Sequence, residues 1–178
     1  MAFTTKDFKI ACHYRAMSVA IVTASRPNFK ATVVTEHSAA FPLDDQDECY
    51  VTLVVPTHSA TLQAIKTSQF FALNYLRRSQ LWMAEATYKL LKAKDKIQWF
   101  TRHNIPYLPS ANAAVFCSYY RELNLGLNTL VIGHALDARL GNKPTAPLVN
   151  HHQDYRSVGG KRVPVTHPRR RRNPRLTE

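Results

Sequence analysis

A chain of 178 residues, 45% apolar and 20% charged, has the length of one domain that can bury its own core, so neither a metal nor a disulfide framework is needed to hold it. Its formal net charge is +12, and half of that excess lies in residues 161–178, leaving a moderately basic body suited to anionic ligands. No apolar run approaches the ~20 residues that cross a bilayer, and Lys6, Asp7 and Lys9 interrupt the stretch where a signal core would lie, so the expectation is a cytoplasmic protein without membrane attachment.

Residues 5–17 read as a helix capped by Thr4 or Thr5, with Phe8, Ala11, Cys12 and Arg15 on neighbouring turns. Ser18–Ala24 is a strand, and Arg26-Pro27-Asn28 turns it back into the next run as a hairpin. The stretch from Thr32 to Thr61 organises the rest: Ala31–Phe41 and Val51–Thr61 are rich in β-branched residues, end in small or hydroxyl residues, and are separated by the acidic loop of Asp44, Asp45, Asp47 and Glu48. Pro56 stops the second strand, and Leu62 and Ile65 place a helix at 59–68. Its N-terminus, with unpaired amides and the hydroxyls of Ser59 and Thr61, is suited to a phosphate; an ordinary N-cap at Ser59 is the alternative.

Gln69–Leu76 is a further buried strand. Ser79 then caps a helix to about Leu91, with Leu81, Met83, Ala84, Ala86 and Leu90 as its apolar stripe. Two long strands follow, Ala113–Leu123 and Asn128–Leu140. In the second, Leu130, Ile132, His134, Leu136, Ala138 and Leu140 share a face by period two, which makes His134 a hydrogen-bonded core residue. Cys12, Cys49 and Cys117 are widely spaced and read as reduced, buried thiols; the adjacent His151 and His152 point to opposite faces of an extended chain, and no metal site is expected.

Six or seven largely antiparallel strands with few helices make a mainly β protein, and strands of this length avoid open edges best in a Greek-key barrel with a few flanking helices. The domain spans 1–160. Residues 161–178, with Pro164, Pro168, Pro174 and four consecutive arginines, form a basic, disordered tail, and nucleic acid is not the expected partner. All five glycines lie at or beyond Gly126, and neither GxGxxG nor GxxxxGK[ST] occurs, which excludes Rossmann and P-loop domains.

The order of motifs over residues 10–158 resembles the flavin reductase-like family. The resemblance rests on Tyr14-Arg15-Ala16-Met17 leading into Val19–Ala24, on Thr32–Phe41, on Ser59-Ala60-Thr61, and on Phe71–Leu76 with Gln80. Asp95-Lys96, Leu130-Val131-Ile132-Gly133, Pro147-Leu148-Val149, His151 and Tyr155-Arg156 complete it. It implies an FMN-binding split β-barrel of Greek-key type, commonly a homodimer. It also implies a flavin ring lying on Val34, Thr35, Glu36, His37 and Ser38, and a phosphate held by Thr57, His58, Ser59 and Thr61, with Lys96 as a further cation. His151, His152 and Tyr155 would lie near the exposed ring face. The family's Gly-Asp-His stands here as Gly126-Leu127-Asn128, so Asn128 hydrogen-bonds at the nicotinamide site but cannot titrate. The usual Asp-Pro-Pro gives way to the acidic stretch 44–48, and Glu36 and His37 replace small residues beside the ring, where they offer acid–base chemistry.

The activity so implied is an NAD(P)H-dependent flavin reductase that transfers hydride from NADH or NADPH to FMN, or to FAD, for a partner monooxygenase. The catalytic candidates are His37, Asn128, His151, His152 and Tyr155. The alternatives are an FMN enzyme acting directly on a small organic substrate with Glu36 or His37 as base, and a non-enzymatic flavin- or nucleic-acid-binding module using the arginine tail.

Overall fold

The computed structural model describes residues 15–25, 28–40, 48–89, 92–142, 145–151 and 154–157. In chain order the strands are β1 (Met17–Ser18), β2 (Ala20–Ala24), β3 (Lys30–Val34), β4 (His37–Ala40) and β5 (Tyr50–Pro56). Helix α1 (Ala60–Ser68), strand β6 (Phe70–Tyr75), a 3₁₀ turn (Arg78–Gln80), helix α2 (Leu81–Tyr88) and a second 3₁₀ turn (Lys92–Lys96) follow. The rest is β7 (Phe100–Arg102), β8 (Ile105–Tyr107), β9 (Ala113–Asn124), β10 (Asn128–Leu140), β11 (Leu148–His151) and β12 (Asp154–Ser157).

Seven strands form one antiparallel sheet in the order β3-β2-β6-β9-β10-β5-β4. Strands β6, β9 and β10 lie side by side while β5 comes back beside β10, which is a Greek-key arrangement. The mainly β class with few flanking helices therefore holds, but the sheet is not closed into a barrel. Its edge strands β3 and β4 meet end to end at Thr35–Glu36 and no ladder joins them. Seven flat strands would set the two edges about 29 Å apart at ~4.8 Å spacing, whereas the three residue steps from Val34 to His37 reach at most about 10 Å. The sheet must therefore curl.

Strand β2 explains why both faces of this sheet are covered. Ala20, Val22 and Ala24 face one cluster with Leu62 and Ile65 of α1, Val34, Leu53, Phe71 and Val131. Val19 and Ile21 face a second cluster with Ala84 of α2, Ile97, Leu108 and Leu148. A run buried on both sides is continuously apolar instead of alternating, as Val19–Val22 is. The small sheet β1-β11-β12 joins the large one at Val19: Val19 N–H donates to Leu148 O, Leu148 N–H to Leu76 O and Leu76 N–H to Val19 O, each at 3.0 Å.

Several expectations are corrected. Met17 is in a strand, so the helix at 5–17 does not extend to its predicted end; residues 5–14, including Cys12, lie outside the described residues, as do the turn at 26–27, the acids at 44–47, His152 and the tail 161–178. The run Ala31–Phe41 is broken at Thr35–Glu36, because His37 N–H donates back to Thr35 O (3.2 Å) and the chain leaves one sheet edge for the other. Ser79 sits inside the 3₁₀ turn, and the start of α2 is braced instead by Gln80, whose side-chain oxygen accepts from Arg77 N–H at 3.0 Å.

The face of β10 is also reversed. Thr129 and Val131 point into the core with Gly133, Leu136 and Leu140 are 49% and 73% exposed, and His134 is half-buried against the Tyr50 ring (centroids 5.3 Å). Period two holds, but the inward set is the odd one from Thr129 onward, ahead of the register shifts against β9 at Ile132/Gly133 and Ala135/Asp137; Phe71 and Cys117 pack directly on Gly133, which leaves the apolar even positions on the outer face. Of the thiols, Cys117 is buried, which pushes its pKa up to about 12, while Cys49 is only half-buried.

Candidate functional site

The break between β3 and β4 opens a cleft of ≈ 500 Å³ lined by Arg15, Ala16, Met17, Ser18, Thr35 and His37. His37 Nε2 lies 3.0 Å from the Ser18 carbonyl oxygen and 3.2 Å from Ser18 Oγ. A carbonyl only accepts, so Nε2 carries the proton and the neutral ring keeps a lone pair on Nδ1. Burial is the main influence on this ring and lowers its pKa, against the opposing pull of the Ser18 carbonyl and the Glu36 charge; His37 is therefore neutral at pH 7. Its ring also sits edge-on to Tyr75 at 5.3 Å. Beside it, Glu36 is exposed and held at 2.8 Å by Arg15 Nη2. Val34 is buried, so only its backbone is open to a ligand there.

From this cleft β5 leads to the second part of the site. Val54 N–H donates to Glu36 O (2.9 Å), and three residues on, about 10 Å along the strand, Thr57 begins the turn into α1. Ser59 is the N-cap, its Oγ accepting from Leu62 N–H at 3.1 Å. Helix geometry leaves the amides of Ala60 and Thr61 without intrahelical acceptors. The Thr61 side chain is buried and His58 is exposed. Thr57 braces the β9–β10 turn: its hydroxyl donates to Gly126 O (2.8 Å) and accepts from Thr129 (3.1 Å), and its N–H donates to Leu127 O (3.0 Å). Asn128, paired with Pro56, is exposed at the same end of the ladder.

Strand β4 supplies the surface between these groups. It is an edge strand, and its residues Ser38, Ala39 and Ala40 are small and exposed. Half of its amides and carbonyls consequently face away from β5. A flat heterocycle with alternating donors and acceptors on its edge can reach that backbone, and a helix N-terminus lies within one ribityl-sized span for an attached phosphate. The residues present therefore fit a flavin mononucleotide portion.

The family model described as "Flavin reductase like domain" matches residues 13–159. The chain belongs to this flavin reductase-like family. A sequence search of the curated proteins finds no match. Among solved structures, the flavin reductase PheA2 in its native state is 19% identical with a TM-score of 0.77, over 88% of this chain and 99% of that one. The NADH:FAD oxidoreductase SgcE6 of Streptomyces globisporus C-1027, in complex with NAD and FAD fragments, is 16% identical with a TM-score of 0.75, over 88% and 95% of the two chains. The styrene monooxygenase flavin reductase of Pseudomonas putida S12 is 18% identical with a TM-score of 0.72, over 89% and 99%.

Within this flavin reductase-like chain the remaining candidates are divided between two faces. His151 is two residues from Val149, the cross-strand partner of Ser18, so it shares the face on which Ser18 meets His37. Tyr155 pairs with Asn150 and packs into the cluster of Val19, Ile21 and Ala84, where burial first and the Glu85 charge second raise its pKa. Lys96 is exposed next to Ile97 of that same cluster, whereas α1 packs into the other one. Tyr155 and Lys96 are therefore across the sheet from the α1 terminus and do not meet it within one chain. Sequence reading missed Arg15 and Ser18 as site residues. The only signals were an opposite charge at Glu36 and a hydroxyl at the mouth of a buried run, neither tied by spacing to His37.

Proposed function

We infer that this protein is an NAD(P)H-dependent flavin reductase whose flavin lies along Thr35–Ser38 with its phosphate at the turn Thr57–Thr61. The observation that carries the reading is the junction of the β4 edge, the His37 cleft and the α1 N-terminus along one strand, in a chain of this family. A bound flavin accepts hydride from a nicotinamide and passes the electrons on. The chain's own part is positioning. The β4 backbone binds the ring edge, the Ala60 and Thr61 amides bind the phosphate, and Ser18 fixes His37 as a neutral acceptor beside the ring. Asn128 offers a hydrogen bond without a titration. Thr57, although committed to the β9–β10 turn, holds Asn128 and the α1 terminus together.

The flavin is FMN, with FAD as the alternative, and the nicotinamide is NADH or NADPH. The solved structures of similar fold include reductase components of two-component oxygenases and halogenases, and a flavin-dependent monooxygenase in the cytoplasm is the proposed recipient. Stopped-flow absorbance tests the activity: NADH or NADPH should bleach protein-bound flavin much faster than free flavin, and equal rates refute the reading.

The dimer is proposed to form through the outer face of β9 and β10. There Tyr120, Leu123 and Leu136 are 57%, 56% and 49% exposed, large apolar side chains that a second copy of the chain would cover. Light scattering should find a dimer that Tyr120→Glu dissociates. A monomeric parent protein refutes the proposal. The neutral His37 lone pair also favours a second reading, an FMN enzyme that removes a proton from a small organic substrate. Tight flavin that ignores NAD(P)H but is reduced by such a substrate would select it.

A further inference from the structure

Where β6 and β10 both end, level with the start of β9, a cavity of ≈ 270 Å³ is lined by Arg77, Pro109, Ser110, Ala111, Gly141 and Asn142. It lies at the opposite end of β10 from Asn128 and the α1 terminus, about 40 Å of strand away. Three segments enclose it and are pinned to one another: Asn112 N–H donates to Tyr75 O (2.9 Å), and Asn112 O accepts from Gly141 N–H (2.8 Å). The polar groups they present are donors. Gln80 is 2% exposed and accepts at Oε1 from Arg77 N–H (3.0 Å), which turns its Nε2 to donate to Ser110 Oγ (2.9 Å). Ser110 Oγ is the acceptor in that bond, so its own proton is left to donate elsewhere. Arg77 is half-buried, with Nε enclosed; its terminal nitrogens are not enclosed with it, and they make no hydrogen bond or ion pair among the described residues. Asn142 adds an exposed amide at the mouth, and the lining contains no carboxylate.

A guanidinium partly withdrawn from water without a counter-charge costs free energy that a bound anion would recover. The volume lies below the ~300–1,000 Å³ of sites for drug-sized molecules, so the ligand is a small ion or the terminal group of a larger molecule. A planar carboxylate spends its two oxygens on one guanidinium fork. Donors arriving from three separate segments suit a tetrahedral group, which has more oxygens and presents them in more directions. We propose that this cavity is a binding site for a phosphate group, free or esterified, held by the terminal nitrogens of Arg77 and the Ser110 hydroxyl. The proposal does not depend on the flavin site or its chemistry.

Inorganic phosphate titrated into the isotope-labelled full chain should shift the amide resonances of Arg77, Ser110 and Asn142 saturably. Arg77→Gln, which keeps most of the stem, should weaken that binding at least about tenfold, the worth of one charge-assisted hydrogen bond. Should that variant not fold, Ser110→Ala is held to the same criterion. AMP that moves the same amides at lower concentration than phosphate supports an ester as the source, and AMP that needs more supports the free ion. No shift up to about 10 mM phosphate, a shift that acetate or sodium chloride of equal ionic strength reproduces, or unchanged binding by Arg77→Gln overturns the proposal. The Ala60 and Thr61 amides report the α1 terminus separately, so this result and the bleaching experiment fail independently.

Discussion

Gly133→Ala tests the packing that supports the site. A Cβ built on Gly133 would lie 2.4 Å from Phe71 Cζ, 2.8 Å from Phe71 Cε1 and 3.0 Å from Cys117 Cβ. Real Cβ contacts that short do not persist, so an atom must move. The tip of an exposed ring would swing away cheaply, but Phe71 is 0% exposed and enclosed by Leu53, Ile65, Leu73 and Val131. Overpacking of a rigid core costs about 1–3 kcal/mol, and a two-atom clash at one locked ring belongs at the upper end, about 3 kcal/mol. For a chain of this size each kcal/mol shifts Tm by about 2–4 °C, so a fall of roughly 6–12 °C is expected by calorimetry. Phe71→Leu removes the offending ring tip. That change destabilises alone by about 1 kcal/mol, but Gly133→Ala added to it should cost far less than in the parent. A double-mutant cycle would thus show coupling of at least about 1 kcal/mol. Additive effects, or a Gly133→Ala protein as stable as the parent, would refute the assigned contact.

The remaining predictions concern the polar groups. Burial depresses the His37 pKa below 6.5, so the unfolded state takes up the proton first; the stability this group confers is complete above pH 6.5 and is lost as pH falls through the lowered folded value. Denaturation at pH 7.5 and 5 should show a decline for the parent that is smaller in His37→Asn; an identical decline rejects the buried neutral ring. Glu36→Gln breaks an exposed pair with Arg15 (side chains 47% and 59% exposed), so stability should change by less than about 1 kcal/mol and flavin reduction by less than threefold. A loss of about 10²–10⁴-fold would show that Glu36 takes part in the reaction and refute its assignment as an exposed surface pair. Asn74 is fully buried, donating to Ile21 O (2.9 Å) and accepting from Leu108 N–H (2.7 Å). Asn74→Ala orphans both groups and should cost about 2–5 kcal/mol in urea unfolding; a cost under about 1 kcal/mol would show that water replaces them.

What the sequence made legible was decided by local physics. Ser59 before an apolar period is an N-cap signal and delivered α1 within a residue, and the β9–β10 hairpin lies where an aromatic-rich run and a run with Thr129, Val131 and Ile132 flank Gly126, whose φ is +80°. The hairpin β7–β8 was missed because its turn is His103–Asn104, both with positive φ (51° and 59°), where the usual sequence sign is Asn-Gly. It is held by a tertiary partner: His103 Nε2 and Arg102 Nε both lie 2.7 Å from Asp137 Oδ2. Asp137 lies on the odd-numbered, more buried face of β10, just past the register shift at Leu136. No window of sequence contains both halves of that arrangement. The loop and helix terminus of the candidate site were visible because each is built from consecutive residues. Arg15 and Ser18 were not, since Arg15 meets Glu36 and Ser18 meets His37 only through the fold, and β1, which carries Ser18, belongs to a small sheet whose other strands lie beyond residue 147.

The same division explains where the cleft lies. A β-branched run such as Ala31–Phe41 would make one long strand if a single sheet edge could receive it. Here β2 takes Lys30–Val34 as its partner and β5 takes His37–Ala40, and these hosts are separated by three strands. The run must bend where it changes host, and the bend leaves Thr35 and Glu36 outside both ladders, beside an edge strand of small residues. The opening is thus a consequence of closing a curled sheet with one continuous segment instead of with hydrogen bonds. The alternative construction, β3 and β4 paired side by side, would bury the backbone that a flat ring needs. The break that sequence periodicity hides is therefore what opens the cleft proposed for the cofactor at this end of the sheet.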